Sequence, residues 1–271
     1  MKISVIITTY NRPSALRRVL DGLFHQDQPP AEIIVADDGS AQETSDCITA
    51  QGANAPCPVE HVWQPDRGFQ AARARNKAVA ASTGDYLLFL DGDCIPSPYW
   101  VDRHRQLARP ASLVAGNRIL LSEKLTHAVE FSGEGIWQWP LRKWLLARLR
   151  GEVNRLLPLV FLSPSGHWRE RRPRQWQGVK TCNLGVWKKD FVRVNGFDEG
   201  FQGWGHEDAD LAVRLYRAGV ERRDGRYAVP VLHLWHREHD RSREAENRKR
   251  LERRIQDTDL IAAEKGVDQY L

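Results

Sequence analysis

Carboxylates cluster at three points in the chain. Asp91-Gly92-Asp93 closes the apolar run "YLLFL", and Asp37-Asp38-Gly39-Ser40 closes "EIIVA". Glu207, Asp208 and Asp210 follow the turn Gly203-Trp204-Gly205-His206. Two carboxylates one residue apart, aimed by a buried strand, can reach one hard divalent cation directly or through its water. The competing reading is an ordinary Asp-Gly turn. Asp37 and Asp38 suit hydrogen bonds to a base N–H or to ribose hydroxyls, or else an N-cap and a turn. Acids at 207–210 favour the positive end of a helix, and the same place holds a carboxylate ionised and rigid, as a general base requires. Trp204 adds a flat apolar face on which a sugar ring can stack. His233, His236 and His239 recur every three residues. On a strand His233 and His236 point to opposite faces, so this spacing does not place both on one metal. One of the three is read as a ligand and the others as packing or surface groups.

Those residues need elements to hold them. "KISVIITTY" reads as a buried strand, and Pro13 opens a helix through Leu16, Leu20 and Leu23. Glu32 to Ala36 is a second strand, followed by a helix to about Ala50; "VEHVWQ" is a third strand; "GFQAARARNKAVAAS" is an Ala-rich helix; "DYLLFLDGDC" is a fourth strand. Strand and helix alternating in this way predict an α/β protein with a mostly parallel sheet flanked by helices. Ligands bind beyond the carboxyl ends of such strands, and Thr8 to Asn11, Asp37-Asp38 and Asp91 to Asp93 all lie there. Further on, "SLVAGNRILL" predicts a strand, and "VKTCNLGVWKKDFVRVNGF" a strand and a short helix. "EDADLAVRLYRAG" predicts a helix stopped by Gly219, "YAVPVLHLWH" a strand, and the charged tail from Arg237 a helix with a solvated face. Residues 139–158 place Leu141, Leu145, Leu149, Val153 and Leu156 on one helical face.

The chain has 271 residues, 41% of them hydrophobic, enough for a real core and unlike a disordered or fibrous protein. Cys47, Cys57, Cys94 and Cys182 form no CxxC pair, which argues against a zinc knuckle or a disulfide framework. No apolar run approaches a membrane span or a signal core. These features predict a cytoplasmic protein, peripheral on an inner membrane if it meets one. The net charge of +5 is local. Between Trp139 and Lys180, ten basic residues face Glu152 and Glu170, giving +8 there and −3 elsewhere.

Taken together, "VIITTYNRP", "IIVADDGS", "RGFQAARARNKAVAASTGDYLLFLDGD" and "NGFDEGFQGWGHEDADLAVRLYRAG" resemble family 2 glycosyltransferases of the GT-A, Rossmann-like fold. The last stretch also resembles the galactosyltransferase-like half of chondroitin-synthase and β-1,4-galactosyltransferase-type enzymes. The resemblance covers about residues 1–120 and 176–240. With no internal repeat and no clear linker, the chain reads as a single domain: a nucleotide-sugar-binding half (1–120), a basic helical and loop insertion (121–178) that the resemblance does not cover, an acceptor and catalytic half (179–240) and a C-terminal helix (241–271). The resemblance implies roles. Thr8, Tyr10 and Arg12 line the nucleotide pocket; Asp38, with Asp37, holds uracil or ribose; Arg73 and Asn76 flank the donor. Asp91, Gly92 and Asp93 match the D-x-D motif that holds the diphosphate through Mn²⁺ or Mg²⁺, and His236 rather than His233 completes that metal site. Trp204, Glu207 and Asp208 match "WGxED", with Glu207 bonding a sugar and Asp208 as the base.

The function so implied is inverting, metal-dependent transfer of a hexose or N-acetylhexosamine from a UDP-sugar to a saccharide or glycolipid, in bacterial lipopolysaccharide or surface polysaccharide synthesis. The basic segment 139–174, with Trp137, Trp139 and Trp144, suits an anionic membrane surface, a solvated face over a core-packed stripe, or, through Arg169 to Arg174, the phosphates of a lipopolysaccharide core. Two other classes compete. A sugar-nucleotide pyrophosphorylase needs a Gly-rich loop after the first strand, where this chain has "TTYNRP". A scaffold docking membrane or nucleic acid leaves the acid-bearing strand ends unexplained, so no nucleic-acid partner is expected.

Overall fold

The computed structural model describes residues 1–133, 135–238 and 240–271, without the Ser132 side chain. His239 therefore lies outside the described residues. The chain runs β1 (Ile3–Thr9), α1 (Pro13–Phe24), β2 (Glu32–Asp37), α2 (Gln42–Gly52), β3 (Val59–Trp63), α3 (Ala71–Ala81), β4 (Tyr86–Asp91), β5 (Cys94–Pro96), α4 (Trp100–Leu107), β6 (Ser112–Ala115) and β7 (Asn117–Leu120). It continues with α5 (Glu123–Ser132), α6 (Leu141–Leu149), β8 (Asn183–Trp187), α7 (Lys188–Arg193), α8 (Glu207–Arg217), β9 (Glu221–Asp224), β10 (Pro230–His233) and α9 (Glu244–Gln256).

The main sheet has the order β3-β2-β1-β4-β8-β6-β9. Its first four strands are parallel, and β8 enters antiparallel between β4 and β6. Both faces are covered, which is why the central strands read as unbroken apolar runs. One core layer holds α1, with Leu16, Val19, Leu20 and Leu23 buried at helical spacing, and α4. The other holds α3, α7 and α8. The alanines of α3 let that helix lie close to the sheet. A second, three-stranded sheet, β5-β10-β7, abuts the carboxyl edge of the first.

The register sets the site. Thr8 pairs with Asp91, and Thr9 with Asp37, so three strands end at one level. Because β8 is antiparallel to β4, with Leu90 opposite Asn183, the chain just before β8 arrives at that same edge.

Three expectations about elements do not hold. "SLVAGNRILL" is two strands in two sheets, parted at Gly116. A Cβ there would lie 2.3 Å from the Asn183 side chain, so only glycine lets the chain cross from one sheet to the other. The helix expected over 139–158 covers only 141–149 and ends before Gly151, at φ +70°. Its leucine stripe faces outward: Leu141 is 67% and Leu149 83% exposed, while Trp144 and Ala147 are buried. Trp144 packs on Trp137 and Trp139, with ring centroids 6.2 and 5.3 Å away, and the indoles take the inner side that spacing assigns to leucine. The tail helix stops at Gln256, and it is not wholly solvated: Asn247, Leu251 and Arg254 are buried, with Arg254 Nη2 2.7 Å from Asp198.

Candidate active site

A cavity of about 1230 Å³ opens at the carboxyl edge of the sheet. Thr8, Tyr10, Arg12, Asp38, Asp91, Gly92, Asp93, Trp204, Glu207, Asp208 and His236 all line it. Of the residues expected to bind nucleotide-sugar, Asp37, Arg73 and Asn76 do not. Asp37 is fully buried; its oxygens accept from the Ser40 N–H (2.8 Å) and from His61 Nε2 (2.9 Å), so it closes the turn after β2. Burial pushes its carboxyl up, but those hydrogen bonds outweigh it and hold the pKa below the ordinary value. Asn76, also fully buried, donates to the Phe197 carbonyl (2.8 Å) and accepts from the Phe197 N–H (2.9 Å), tying α3 to the segment before α8. Arg73 turns to Gln70, 3.4 Å away, on the outer side of α3.

The arginine of α3 that enters the cavity is Arg75. Its side chain is 5% exposed. It donates to Thr8 Oγ1 (2.8 Å), Asp91 Oδ1 (3.2 Å) and Glu207 Oε1 (3.3 Å), joining the ends of β1 and β4 to the start of α8. Helical spacing carried this signal. Residues three and four away from Arg75 are Ala71, Ala72, Ala78 and Val79, the face that packs on the sheet; those around Arg73 are Phe69, Gln70, Asn76 and Lys77. Burial opposes the Arg75 charge, but Asp91 and Glu207 outweigh it and raise its pKa.

The carboxylates differ. Burial raises Glu207 to about 7, with the Asp208 charge adding and Arg75 opposing. Burial likewise raises Asp91 to about 6, against the pull of Arg75. Asp38 is also raised by burial to about 6, although both its oxygens accept hydrogen bonds, from Gln64 Nε2 and the Gln70 N–H, each at 2.7 Å. Asp208 remains half-buried at the cavity wall. Its Oδ1 accepts from the Thr181 hydroxyl (2.8 Å) and its Oδ2 from the Thr181 N–H (3.3 Å). Asp210, by contrast, is fully buried between Arg214 Nη2 (2.6 Å) and Arg254 Nε (2.9 Å) and is structural. The turn before α8 is held by positive φ at Gly203 (+75°), Gly205 (+107°) and His206 (+75°). One face of the Trp204 ring carries the Arg241 guanidinium, 4.5 Å from the centroid.

The histidines correct the expectation drawn from strand alternation. β10 ends at His233, and the chain then leaves the strand, so both rings reach Asp93. His236 Nε2 is 3.5 Å from Asp93 Oδ2, and His233 Nε2 is 3.7 Å from Oδ1. Donors around one divalent ion lie about 3 Å apart; Asp93, Cys94 and His233 have ligand atoms within 4.8 Å of one another, and His236 reaches the other oxygen of Asp93, so this carboxylate and two imidazoles must close further to share an ion. Burial pushes His233 down to about 4, against the Asp93 charge, which leaves its lone pair available. Imidazole ligands beside a carboxylate favour a transition-metal ion such as Mn²⁺ over Mg²⁺, which takes oxygen ligands. Arg12 Nη1 also contacts Asp93 (3.1 Å), and its Nη2 reaches Glu130 (3.2 Å).

Residues 4–173 match glycosyl transferase family 2, and residues 168–237 match the N-terminal domain of galactosyltransferase. The chain belongs to glycosyl transferase family 2. It is 29% identical over 239 residues to validoxylamine A glucosyltransferase of Streptomyces hygroscopicus subsp. limoneus, covering 80% of this chain and 48% of that protein. It is 28% identical over 233 residues to chondroitin synthase of Escherichia coli, covering 80% and 32%. The chain thus spans about half, or less, of the length of these relatives. Among solved structures, S. aureus TarS 1–349 in complex with UDP aligns over 100% of this chain and 68% of its own, with TM-score 0.62 and 15% identity. The mannosyltransferase PcManGT from Pyrobaculum calidifontis, in complex with GDP-Man and Mn²⁺, aligns over 86% and 56%, with TM-score 0.56 and 17% identity. The fold of this family 2 member is therefore that of GT-A glycosyltransferases. Among its described residues no helix is long and apolar enough to cross a membrane.

Sequence reasoning missed two residues that line or hold the cavity, Arg75 and Thr181, and set a third, His233, aside in favour of His236. Thr181 gave little signal, because its place depends on β8 inserting antiparallel beside β4.

Proposed function

We propose that this family 2 member transfers a hexose or N-acetylhexosamine from a UDP-sugar to a saccharide, with inversion and with the help of a divalent metal ion. The observation that carries the reading is Arg75. It binds one wall, Asp91, to the other, Glu207, and so fixes a metal-type cluster opposite a helix-borne acid pair across one cavity. Asp93, His236 and His233, with Asp91 beside them, would hold Mn²⁺ or Mg²⁺. When bound, that ion supplies positive charge for the leaving diphosphate. Thr8, Tyr10 and Asp38 line the part of the cavity suited to the nucleoside.

Asp208 is the base. Thr181 fixes its two oxygens while the carboxyl stays open to the cavity. The acceptor hydroxyl oxygen bonds to the anomeric carbon from the face opposite the diphosphate. The bond from that carbon to the diphosphate oxygen breaks, Asp208 takes the hydroxyl proton, and UDP departs with the bonding pair. Glu207, buried beside Arg75, bonds a sugar hydroxyl instead. Trp204 offers the ring its apolar face, and the Gly203–Gly205 turn would be the part that closes over the donor, releasing the bonds from the Gly203 N–H to Phe69 and from Asn247 to the Trp204 carbonyl.

The likeness to a chondroitin synthase supports a polysaccharide acceptor. The outward leucines of α6, beside Arg142, Lys143 and Arg148, suit peripheral contact with an anionic membrane; cosedimentation with phosphatidylglycerol vesicles tests that contact. The central test is calorimetry of UDP, GDP and CMP with and without Mn²⁺. Tight, Mn²⁺-dependent UDP binding is expected. Preference for another nucleotide discards the UDP donor, and binding of none refutes transfer from a nucleotide sugar.

A further inference from the structure

A second cleft, of about 590 Å³, lies beside the catalytic cavity, between β7, β9 and residues 168–182. Eight cationic side chains line it against a single acid, Asp224, and that acid is paired with Arg226 at 2.6 Å. Arg118, Arg155, Arg171, Arg172, Lys180 and Arg222 have no carboxylate partner among the described residues. Arg171 and Lys180 make no side-chain hydrogen bond there at all, and Arg172 reaches only Gln175 Oε1. Like charges gathered in one concave site repel one another and focus a positive potential into it.

The site is built rather than loose. Arg169, 1% exposed, spends its guanidinium on the carbonyls of Leu162, Ser163, Asp224 and Arg226, at 2.6 to 3.1 Å, and so holds the loop that carries Arg171 and Arg172. Trp168 lines the same cleft, with the Arg169 guanidinium over its ring, 4.3 Å from the centroid. Guanidinium forks match phosphate and carboxylate oxygens. An indole beside them suits a sugar ring.

The cleft opens into the catalytic cavity through shared walls at Arg118, Gly178, Lys180 and Cys182. Lys180 directly precedes Thr181, the residue that holds Asp208. The cleft shares none of Thr8, Tyr10, Asp38, Asp91 or Asp93, so it is not the seat of the donor diphosphate.

We propose that this cleft binds the acceptor, and that the acceptor is an anionic saccharide carrying phosphate or carboxylate close to the hydroxyl that is glycosylated. This rests on the transferase reading above. It deepens that reading by naming the acceptor class.

The test is calorimetry on the full chain with three saccharide probes and UDP–Mn²⁺ as an independent readout. The probes are a hyaluronan tetrasaccharide (carboxylates), glucose 1,6-bisphosphate (phosphates) and maltotetraose (neutral). At least one anionic probe binds, its affinity falls with salt, and maltotetraose does not compete with it. Which anionic probe binds separates the carboxylate from the phosphate source. Arg171→Glu/Arg172→Glu, two exposed positions, weakens that binding about tenfold or more, while UDP–Mn²⁺ binding stays within twofold. Arg142→Glu/Arg148→Glu, equal in charge change but on α6, leaves the anionic probe's affinity within twofold. Equal binding of maltotetraose, no binding of either anionic probe, or equal losses in the two double variants overturns the proposal. So does tighter binding of a dT10 oligonucleotide than of either anionic saccharide. Loss of UDP–Mn²⁺ binding with anionic-probe binding intact refutes the transferase reading and leaves the cleft standing.

Discussion

Arg75→Met tests the electrostatic account of the site most directly. Methionine keeps much of the side-chain volume and removes the charge that lies 3.3 Å from Glu207 and 3.2 Å from Asp91. At close range two unit charges interact by roughly 4 kcal/mol at the effective permittivity of a protein. The Asp91 side chain is 31% exposed, so solvent screens its share; Glu207 is at 10% and its share is not screened. Removing one partner of a buried pair costs about 3–5 kcal/mol, so with Asp91 discounted the loss is roughly 3–4 kcal/mol at pH 8. The pH dependence is the sharper readout. Glu207 already has a folded pKa of about 7 against an ordinary 4.5. A carboxyl raised in this way contributes stability that is present below the unfolded value and lost as pH rises through the folded one. Without Arg75 the folded value climbs further, so the variant loses more between pH 4.5 and 8 than the parent does. Urea unfolding at both pH values measures this: the destabilisation at pH 8 shrinks to under about 1 kcal/mol at pH 4.5, where both acids are protonated. An equal destabilisation at the two pH values would show that Arg75 acts through packing and that the charge argument is wrong.

Asp208→Asn keeps UDP affinity within twofold and lowers transfer by about 10²–10⁴-fold, the range of a lost general base; near-full transfer in a radiolabelled-sugar assay removes Asp208 from that role. His233→Ala and His236→Ala each weaken Mn²⁺ binding, read by the electron-spin signal of the free ion. An effect confined to His236→Ala would return His233 to a packing role. Asp38 is raised from 3.8 to about 6, so its contribution to stability is present below pH 3.8 and lost as pH rises through 6. Asp38→Asn therefore flattens the parent's stability-versus-pH slope across that window by up to about 3 kcal/mol, and an unchanged slope in thermal melts counts against it. Gly116→Ala puts a methyl 2.3 Å from Asn183, whose amide serves Trp100, Asn117 and Val229; unfolding midpoints fall by an amount typical of core overpacking, about 1–3 kcal/mol.

β1, β2 and β4 were legible because each is an apolar run closed by a polar turn, and a parallel sheet buried on both faces demands that pattern; β3, at the sheet edge, is part-exposed and carries Glu60 and His61 among its apolar residues. The acids at the ends of β2 and β4 were legible for the same reason: a strand end is the one place where a buried run meets water. What failed to read did so for local reasons. Periodicity gave α6 its leucine stripe, but three indoles compete for the same inner surface and bury more area than leucine does. Alternation set His233 against His236 because it assumed that the strand continued beyond 233. Arg73 was taken from a motif resemblance, whereas helical spacing among the alanines of α3 pointed to Arg75. Thr181 and Asn183 depend on β8 running antiparallel inside a parallel sheet, which no local pattern encodes.

The two clefts differ in charge, and that difference bears on how substrates are sorted. The donor side holds Asp38, Asp91, Asp93, Glu207 and Asp208, with Arg75 and Arg12 as the cations that pair with these acids. In the proposed reading those acids would meet a diphosphate with like charge, and a divalent ion held by Asp93, His233 and His236 would offset part of it, so such an ion would strengthen nucleotide binding. The neighbouring cleft carries six cations that have no paired acid among the described residues, and an anion needs no ion to enter it. The segment Lys180–Cys182 divides the two, and the backbone N–H and hydroxyl of Thr181, in that segment, hold Asp208. An anionic acceptor drawn to Lys180 therefore arrives beside the carboxylate proposed to take its proton. The cations of the proposed acceptor cleft and the hydrogen bonds that hold the proposed base thus meet in one short stretch of chain.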